Sequence, residues 1–316
     1  MPVRTAKRIA PVTGRAMRVT RLDNCGRVVL GPYSQAISDG LVTVGFTAIQ
    51  DAGTAITSTK FTGRPCVNQP AEPTLTGYGV TATFCNVDFD MFEIITKQTL
   101  VFDANGNIVG LEQDTDIPLN GDGFALEVWT GTAGGDACDD EVAEGDYGYL
   151  LLPFLKGGVL GDFTVENNTV NFVISGSTTR NGNQWGNGPY AVELDADGDP
   201  IPLFQAVSKT APLRFMRVTL APPLDTVGGR PVLDRSLPAF TAIAGIEGGT
   251  DMTAVFTTTA AATGPVWWDF GDGEWDYVAA PGGTDHIYAD AGTYEVLASQ
   301  NGIDWESTSV TVPFAP

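Results

Sequence analysis

The sequence predicts an all-β protein with one short helix, divided into a larger domain and a smaller C-terminal module. Its 316 residues include 38 glycines and 20 prolines, which indicate many turns. Segments in which apolar and polar side chains alternate recur along the chain, and this period of two is typical of strands. The length is enough for about two domains, each with its own core.

One helix is predicted over residues 89–97. Asp88 can cap its N-terminus, and Phe92 and Ile95 lie on one face of it. A β-hairpin should follow, because the Asn-Gly pair within residues 103–106 favours a tight turn between two strands.

Strands account for most of the larger domain, residues 16–222. Residues 41–49 show the pattern well, since Val42, Val44 and Phe46 share one face. The predicted strands are residues 16–23, 41–49, 78–87, 99–102, 107–111, 124–129, 147–155, 169–174, 190–194 and 213–220.

Irregular segments separate these strands. Residues 53–73 lack periodicity and are predicted to form a long loop, of the kind that is often functional. Residues 131–146 form a second, acidic loop, and residues 223–237, rich in proline and glycine, form a linker. Residues 1–15 form a basic arm, either extended in solution or docked on an acidic neighbouring subunit.

The C-terminal module carries two strand-and-turn motifs. Trp268 and Phe270 are two residues apart and followed by turn residues, so both should face one side of a strand. Tyr294 stands two residues before the inward position of Val296, as in the tyrosine corner of immunoglobulin-type sandwiches. Residues 238–316 therefore resemble the PKD-type domain, an immunoglobulin-like β-sandwich. Such modules accompany many unrelated functions.

Charge is abundant and unevenly distributed. The net charge is −21, yet the first 27 residues carry seven basic groups and one acid. Residues 236–316 contain eleven acids and no lysine or arginine. Because nucleic-acid binding depends on lysine and arginine, this balance argues against a general nucleic-acid binder.

The sequence shows neither a signal-peptide pattern nor a membrane-helix pattern. The basic N-terminal segment lacks the apolar run of a signal peptide, and no apolar stretch reaches the roughly 18 residues of a membrane helix. We therefore expect a soluble chain that is made and kept in the cytoplasm.

The spacing of the four cysteines does not fit a metal site. They are Cys25, Cys66, Cys85 and Cys138, and they should be buried free thiols, with a Cys66–Cys85 disulfide as the alternative.

No catalytic set is apparent. The single histidine, His286, lies within the immunoglobulin-like motif and is predicted to have a structural or surface role. Among 38 acidic residues no pair is singled out for glycoside hydrolysis. No catalytic, cofactor-binding or metal-binding residues are assigned, and no cofactor or enzymatic activity is expected.

An acidic segment at Asp195–Asp199 has the alternation that opens a calcium loop. Pro200 and Ala206 stand where an EF-hand would need glycine and glutamate. The segment is therefore interpreted as an acidic hairpin turn, with calcium binding as the alternative.

Trp185 lies in a polar, glycine-rich loop. Such a tryptophan can stack on a sugar ring or can fix the loop to the core. Both interpretations remain open from the sequence.

Three phrases in the larger domain carry a second resemblance. They are LLPFLKGGVLGDFTVEN at residues 151–167, NFVI at 171–174 and GNQWGNGPY at 182–190. Together with the helix and hairpin before residue 111, they resemble the major tail proteins of long-tailed bacteriophages. This resemblance covers about residues 16–222, and in that family an immunoglobulin-like module often follows.

The resemblance implies a structural virion protein. Its fold would be a tail-tube-type β-barrel or sandwich with one flanking helix, assembled as hexameric rings that stack into a hollow tube. Its partners would be further copies of itself, the tape measure protein and other tail proteins, with viral DNA passing through without specific binding. It would be located in the phage tail, and in the host cytoplasm during assembly.

Particular segments acquire roles under this interpretation. Residues 2–12 and the 53–73 loop are expected to join successive rings, by adding strands to exposed sheet edges. Acidic side chains are expected to line the lumen and repel DNA. The C-terminal module would decorate the exterior, with a weak contact to the host surface.

Other classes of protein remain as alternatives. A carbohydrate-binding surface adhesin would use the PKD-type module and the Trp185 loop. A different β-rich virion protein, such as a tail terminator or a head decoration, would share the same fold class. A glycosidase with a PKD-type appendage is the enzymatic alternative.

Overall fold

The computed structural model describes residues 11–132, 146–163, 170–240, 243–248, 252–258, 262–279 and 283–314. Within these ranges the protein is all-β with a single helix, which confirms the predicted fold class. The elements up to residue 232 are β1 (Pro11–Leu22), β2 (Gly31–Ser38), β3 (Leu41–Asp51), β4 (Ile56–Thr59), β5 (Pro65–Gln69), β6 (Thr74–Phe84), α1 (Phe89–Thr96), β7 (Thr99–Phe102), β8 (Ile108–Glu112), β9 (Gly123–Thr132), β10 (Tyr147–Lys156), β11 (Val159–Leu160), β12 (Phe172–Thr179), β13 (Glu193–Leu194), β14 (Pro200–Ile201), β15 (Arg214–Val218) and β16 (Arg230–Val232). The later strands are β17 (Ile243–Gly248), β18 (Thr253–Thr258), β19 (Val266–Asp269), β20 (Trp275–Val278), β21 (Thr284–Ile287), β22 (Gly292–Ser299) and β23 (Glu306–Val312).

The chain divides into two compact units. The first comprises Met1–Val28 and Gln35–Gly229, and the second comprises Val29–Ser34 and Arg230–Pro316. The start of β2 therefore belongs to the second unit, where β16 lies beside it. The chain passes from the first unit into the second at Gly229, within the segment that the sequence indicated as a linker.

The first unit is built on an antiparallel sheet with the strand order β2-β1-β9-β10-β12-β6-β3. Strand β10 is shared: its first half pairs with β15 and its last two residues pair with β12. Among the described residues β3 ends this order without a further neighbour. The described sheet is therefore open, and the closed-barrel form of the expected fold is not formed.

One face of this sheet is covered by α1. Met17 and Val19 of β1 join Leu126 of β9 and Leu152 of β10 in a core closed by helical side chains such as Phe92. These strand residues alternate in sequence with the residues that point to the opposite face. The helix therefore packs where the sheet presents its apolar rows.

The opposite face has a second core. Ala125 and Trp129 of β9 and Leu151 of β10 pack with Trp185 and Leu203, which come from the irregular segment between β12 and β15. The central strands are thus buried on both faces, which is unusual for an antiparallel sheet. A charged side chain buried on β1, β9 or β10 therefore needs a partner inside the protein.

Helix α1 confirms the predicted position and cap. The Asp88 carboxylate accepts a hydrogen bond from the Met91 N–H at 3.1 Å and another from the Gly228 N–H at 3.1 Å. Asp90, two residues later, accepts from the Gly229 N–H at 2.8 Å. These two carboxylates hold the last residues of the first unit against the start of the helix.

Replacing Asp88 with alanine should lower the free energy of unfolding by about 1–2 kcal/mol, whereas Asp88→Asn keeps an oxygen acceptor and should lose less.

Burial raises the pKa of the Asp88 carboxyl. The folded state therefore binds the Asp88 proton more tightly than the unfolded chain does. Protonation of Asp88 stabilises the folded state at pH values below the ordinary carboxyl pKa of about 3.9, and this stabilisation is lost as the pH rises through the folded pKa. Wild type should therefore gain stability relative to Asp88→Asn as the pH falls through that window, measured by denaturant unfolding. Parallel pH profiles for the two proteins would contradict this.

Three expectations for the larger domain need correction or extension. Residues 53–73 are not a loop without strands, because β4 and β5 pair from Ile56↔Gln69 to Thr59↔Pro65. Their β-branched residues support a local hairpin although the segment lacks a buried face. Strand β1 begins at Pro11, within the segment assigned to the arm, because Pro11 and Val12 pair with β9. Strand β2 had no counterpart in the prediction.

The thiols also differ from the expectation. Cys25, Cys66 and Cys85 are free and exposed, not buried, so the Cys66–Cys85 disulfide is not formed. Cys138 lies outside the described residues, as do residues 2–10 of the arm and most of the acidic 131–146 loop.

The second unit contains a two-sheet sandwich. One sheet has the order β17-β18-β21 and the other the order β20-β19-β22-β23. Trp268, Phe270 and Val296 are buried in the core between them, as the motifs predicted. The Tyr294 hydroxyl donates to the Asp290 carbonyl at 2.9 Å, which is the upstream backbone bond of a tyrosine corner.

Candidate assembly surface

Trp185 is part of the core of the first unit. Its side chain is 5% exposed and packs with the second core. Gly188 has φ of +86°, and a Cβ at that position would lie 2.6 Å from the indole nitrogen. The loop is therefore fixed by its tryptophan, and Trp185 in this position cannot stack on a sugar.

The acidic segment at Asp195 forms a hairpin turn between β13 and β14. The Asp195 carboxylate accepts from the N–H groups of Asp197 and Asp199, each at 2.9 Å. This carboxylate therefore serves the turn itself, as in other Asx turns. No group of three or more histidine, cysteine or acidic side chains suited to a metal ion occurs in the described part of the chain.

His286 is buried in the second unit. Its ring stacks on Phe270 with the centroids 4.0 Å apart, and its Nε2 lies 2.7 Å from the Asp272 Oδ2. The same Asp272 carboxylate accepts from the Glu274 N–H at 3.0 Å through its other oxygen. His286 thus links β21 to the turn between β19 and β20, and this geometry fits a structural role.

A buried ion pair crosses the centre of the sheet. The Arg18 guanidinium donates from Nε to Glu127 Oε2 at 2.6 Å and from Nη2 to Oε1 at 2.8 Å. The Tyr149 hydroxyl donates to Glu127 at 2.5 Å. Arg18 also lies 3.5 Å from the centroid of the Tyr190 ring, whose hydroxyl is 3.0 Å from Thr20 Oγ1. We call these five residues the buried network.

The buried network is closed to ligands. Arg18 is 6% exposed and Glu127 is 1% exposed. Burial, together with the charge of Glu127, raises the pKa of Tyr149 well above its ordinary value. Burial opposes the charge on Arg18, but the attraction of Glu127 outweighs it and the pKa of Arg18 is raised. Arg18 therefore stays charged and Tyr149 stays neutral across the ordinary pH range.

A groove lies beside the β13–β14 hairpin and β15. Its volume is about 780 Å³, and its lining includes Glu193, Phe204 and Arg217. Glu193 accepts from the Phe204 N–H at 2.5 Å, and Arg217 forms an ion pair with Asp146 at 2.7 Å. The charged side chains of this groove thus already have partners within the fold.

The β4–β5 hairpin is exposed along both strands. Every residue of β4 and β5 is exposed, and so is the turn between them. Its apolar side chains Ile56, Phe61 and Val67 therefore face water, and Phe61 is fully exposed. Exposed apolar side chains grouped in this way are a candidate interaction surface.

The strands that carry this hairpin are also exposed at its base. Beyond Phe46 the remaining residues of β3 are exposed, including Ile49, and β6 begins with exposed residues that include Leu75. Within the described residues β3 is also the unpaired end of the sheet. An unpaired strand edge of this length is a template for a strand from another chain. We call the β4–β5 hairpin together with this end of β3 and β6 the assembly surface.

The hairpin carries the opposite charge to most of the chain. Residues 56–69 contain Lys60 and Arg64 and no acid, whereas the whole protein has a net charge of −21. A positive hairpin on an acidic protein favours contact with another acidic surface, including that of a second copy.

The fold and this surface define an all-β protein with an exposed apolar hairpin in its first unit and a two-sheet sandwich in its second unit. No helix among the described residues is long and apolar enough to cross a membrane. No protein-family model matches the chain, and the search of curated proteins finds no match.

Proposed function

We propose that this protein is the major tail-tube subunit of a long-tailed bacteriophage. In this role hexameric rings of the first unit stack into a tube that conducts DNA, and the second unit decorates the exterior. The observation that carries the proposal is the assembly surface: an exposed apolar hairpin beside an unpaired strand edge. A contact between unlike surfaces does not close on itself, so each ring can template the next.

The charge distribution supports the same role. An acidic lumen repels phosphate over a Debye length of about 8 Å at physiological salt, so DNA can pass without adhering. The positive hairpin then meets the acidic surface of a neighbouring subunit. The tape measure protein and other tail proteins are the further partners that this role requires.

Electron microscopy of the purified protein tests the proposal. Tubes or six-fold rings that form as the concentration rises are the expected result. Particles that remain monomeric at high concentration, measured in parallel by sedimentation velocity, would reject a tail-tube role.

Removal of residues 236–316 should leave tube assembly intact. The deleted segment includes the whole two-sheet sandwich but leaves β16 beside β2. Since the assembly surface lies in the first unit, the shortened protein should form tubes of the same inner diameter with a thinner wall. If it is folded by circular dichroism but does not assemble, the second unit is part of the ring contacts.

A further inference from the structure

The outer face of the four-stranded sheet in the second unit carries a row of aromatic side chains. Trp268 is buried in the sandwich core, so its neighbour Trp267 lies on the outer face. The ring centroid of Trp267 is 5.2 Å from that of Trp305 and 6.5 Å from that of Trp275. Trp275 is in turn 5.3 Å from Tyr33. Four rings therefore follow one another across this face, and we call them the aromatic row.

Both ends of the aromatic row are accessible. Tyr33 is 53% exposed and Trp305 is 40% exposed, whereas Trp267 and Trp275 are half-buried between them. Tyr33 has a φ of 53°, a conformation that non-glycine residues adopt rarely and at a cost. The backbone thus holds an exposed tyrosine beside the tryptophans instead of relaxing to a common conformation.

Polar side chains lie next to the row on the same face. Strand pairing places Asp269 opposite Trp275, and the same line of residues continues through β22 to Ser307. The next line pairs Glu295 with Ser309. Ser307, Glu295 and Ser309 are exposed. The face therefore combines aromatic rings with carboxylates and hydroxyls that can hydrogen-bond to a ligand.

Charge restricts the class of ligand. Residues 236–316 contain no lysine or arginine. Arg230 approaches the row, 5.6 Å from the Trp275 centroid, but its guanidinium donates to the Gly273 carbonyl and is attracted by Asp269. An acidic face repels anionic ligands such as nucleic acid, and it repels a second copy of this acidic chain. A neutral ligand experiences no such electrostatic repulsion.

We propose that the aromatic row binds a neutral linear polysaccharide. The rings offer large, rigid contact area for the C–H faces of successive sugars. Asp269 and Ser307 offer hydrogen-bond partners for the hydroxyl groups. Neighbouring rings are inclined by 71°, 83° and 59° along the row, so the sugars would contact mainly the accessible rings of Trp305 and Tyr33 at its two ends. This binding does not depend on tube assembly.

Titration of the full chain with cellohexaose, maltohexaose and chitohexaose, followed by tryptophan fluorescence and calorimetry, tests the proposal. At least one of these neutral oligosaccharides should bind. Trp305→Ala and Tyr33→Ala, each removing one accessible ring, should each weaken that binding about tenfold or more. Phe204→Ala is the matched control, because Phe204 is an exposed aromatic residue of the first unit, and it should leave binding unchanged.

Several outcomes would overturn the proposal. No binding of any of the three oligosaccharides at millimolar concentration would do so, and so would binding that Trp305→Ala and Tyr33→Ala leave unchanged in proteins with native circular dichroism. Binding of hexalysine instead would make the face a cation site. Loss of self-association in Trp305→Ala, measured by sedimentation, would make a second copy the occupant.

Discussion

Replacing Glu127 with glutamine will lower the free energy of unfolding by about 3–5 kcal/mol. The change leaves the Arg18 guanidinium, which is almost fully buried, without a counter-charge. It also removes the carboxylate that accepts the Tyr149 hydroxyl hydrogen bond. In a protein of this size the thermal midpoint of the first unit should fall by roughly 10 °C, measured by scanning calorimetry.

A double substitution separates the cost of an unpaired buried charge from the loss of the ion pair itself. Arg18→Met with Glu127→Leu removes both charges and keeps apolar volume, so it should be more stable than Glu127→Gln. Glu112→Gln is the control, since Glu112 is exposed on β8 and should change stability by less than about 0.5 kcal/mol. If Glu127→Gln behaves like Glu112→Gln, the ion pair contributes nothing to the sheet.

Local patterns were enough to predict most of the elements. The Asp88 cap and the spacing of Phe92 and Ile95 placed the helix, and the period of two placed Trp268 and Phe270 in the sandwich core. These features involve residues close together in the sequence. Their physical cause, a backbone period or a side-chain cap, is therefore visible without the fold.

The buried network could not be predicted in this way. Arg18 and Glu127 are 109 residues apart. Arg18 is one of seven basic residues among the first 27, and nothing in its local sequence distinguishes it as buried. The available signal is Glu127 itself, a lone acid within the apolar β9. Such an acid, when buried, needs a cation or hydrogen-bond donors facing it, but the sequence does not say which residues supply them.

The β4–β5 hairpin could not be predicted for a different reason, although the sequence does suggest a role in assembly for residues 53–73. The sequence predicts a loop over residues 53–73 because no apolar period of two marks a buried face. In the β4–β5 hairpin neither face is buried, so the alternation that identifies most strands is not required. Ile56 and Val67 are instead available for a partner outside the chain.

Substitution of the apolar side chains on the hairpin should abolish tube assembly without unfolding the protein. In the variant Ile56→Thr, Phe61→Ser, Val67→Thr, all three changed residues are exposed, so the thermal midpoint should stay close to that of wild type. Burying a large apolar side chain contributes about 1.5–3 kcal/mol. Loss of three should therefore raise the critical concentration for assembly roughly a thousandfold or more, measured by sedimentation and electron microscopy.

Leu224→Ser with Val227→Thr is the matched control. Both residues are exposed apolar side chains of the first unit outside the assembly surface, so this variant should assemble as wild type does. A triple variant that assembles at the wild-type concentration would exclude the hairpin as the contact, while leaving a tail-tube role open. If the control variant also fails to assemble, general surface hydrophobicity drives association, and the apolar side chains of the hairpin have no special part in it.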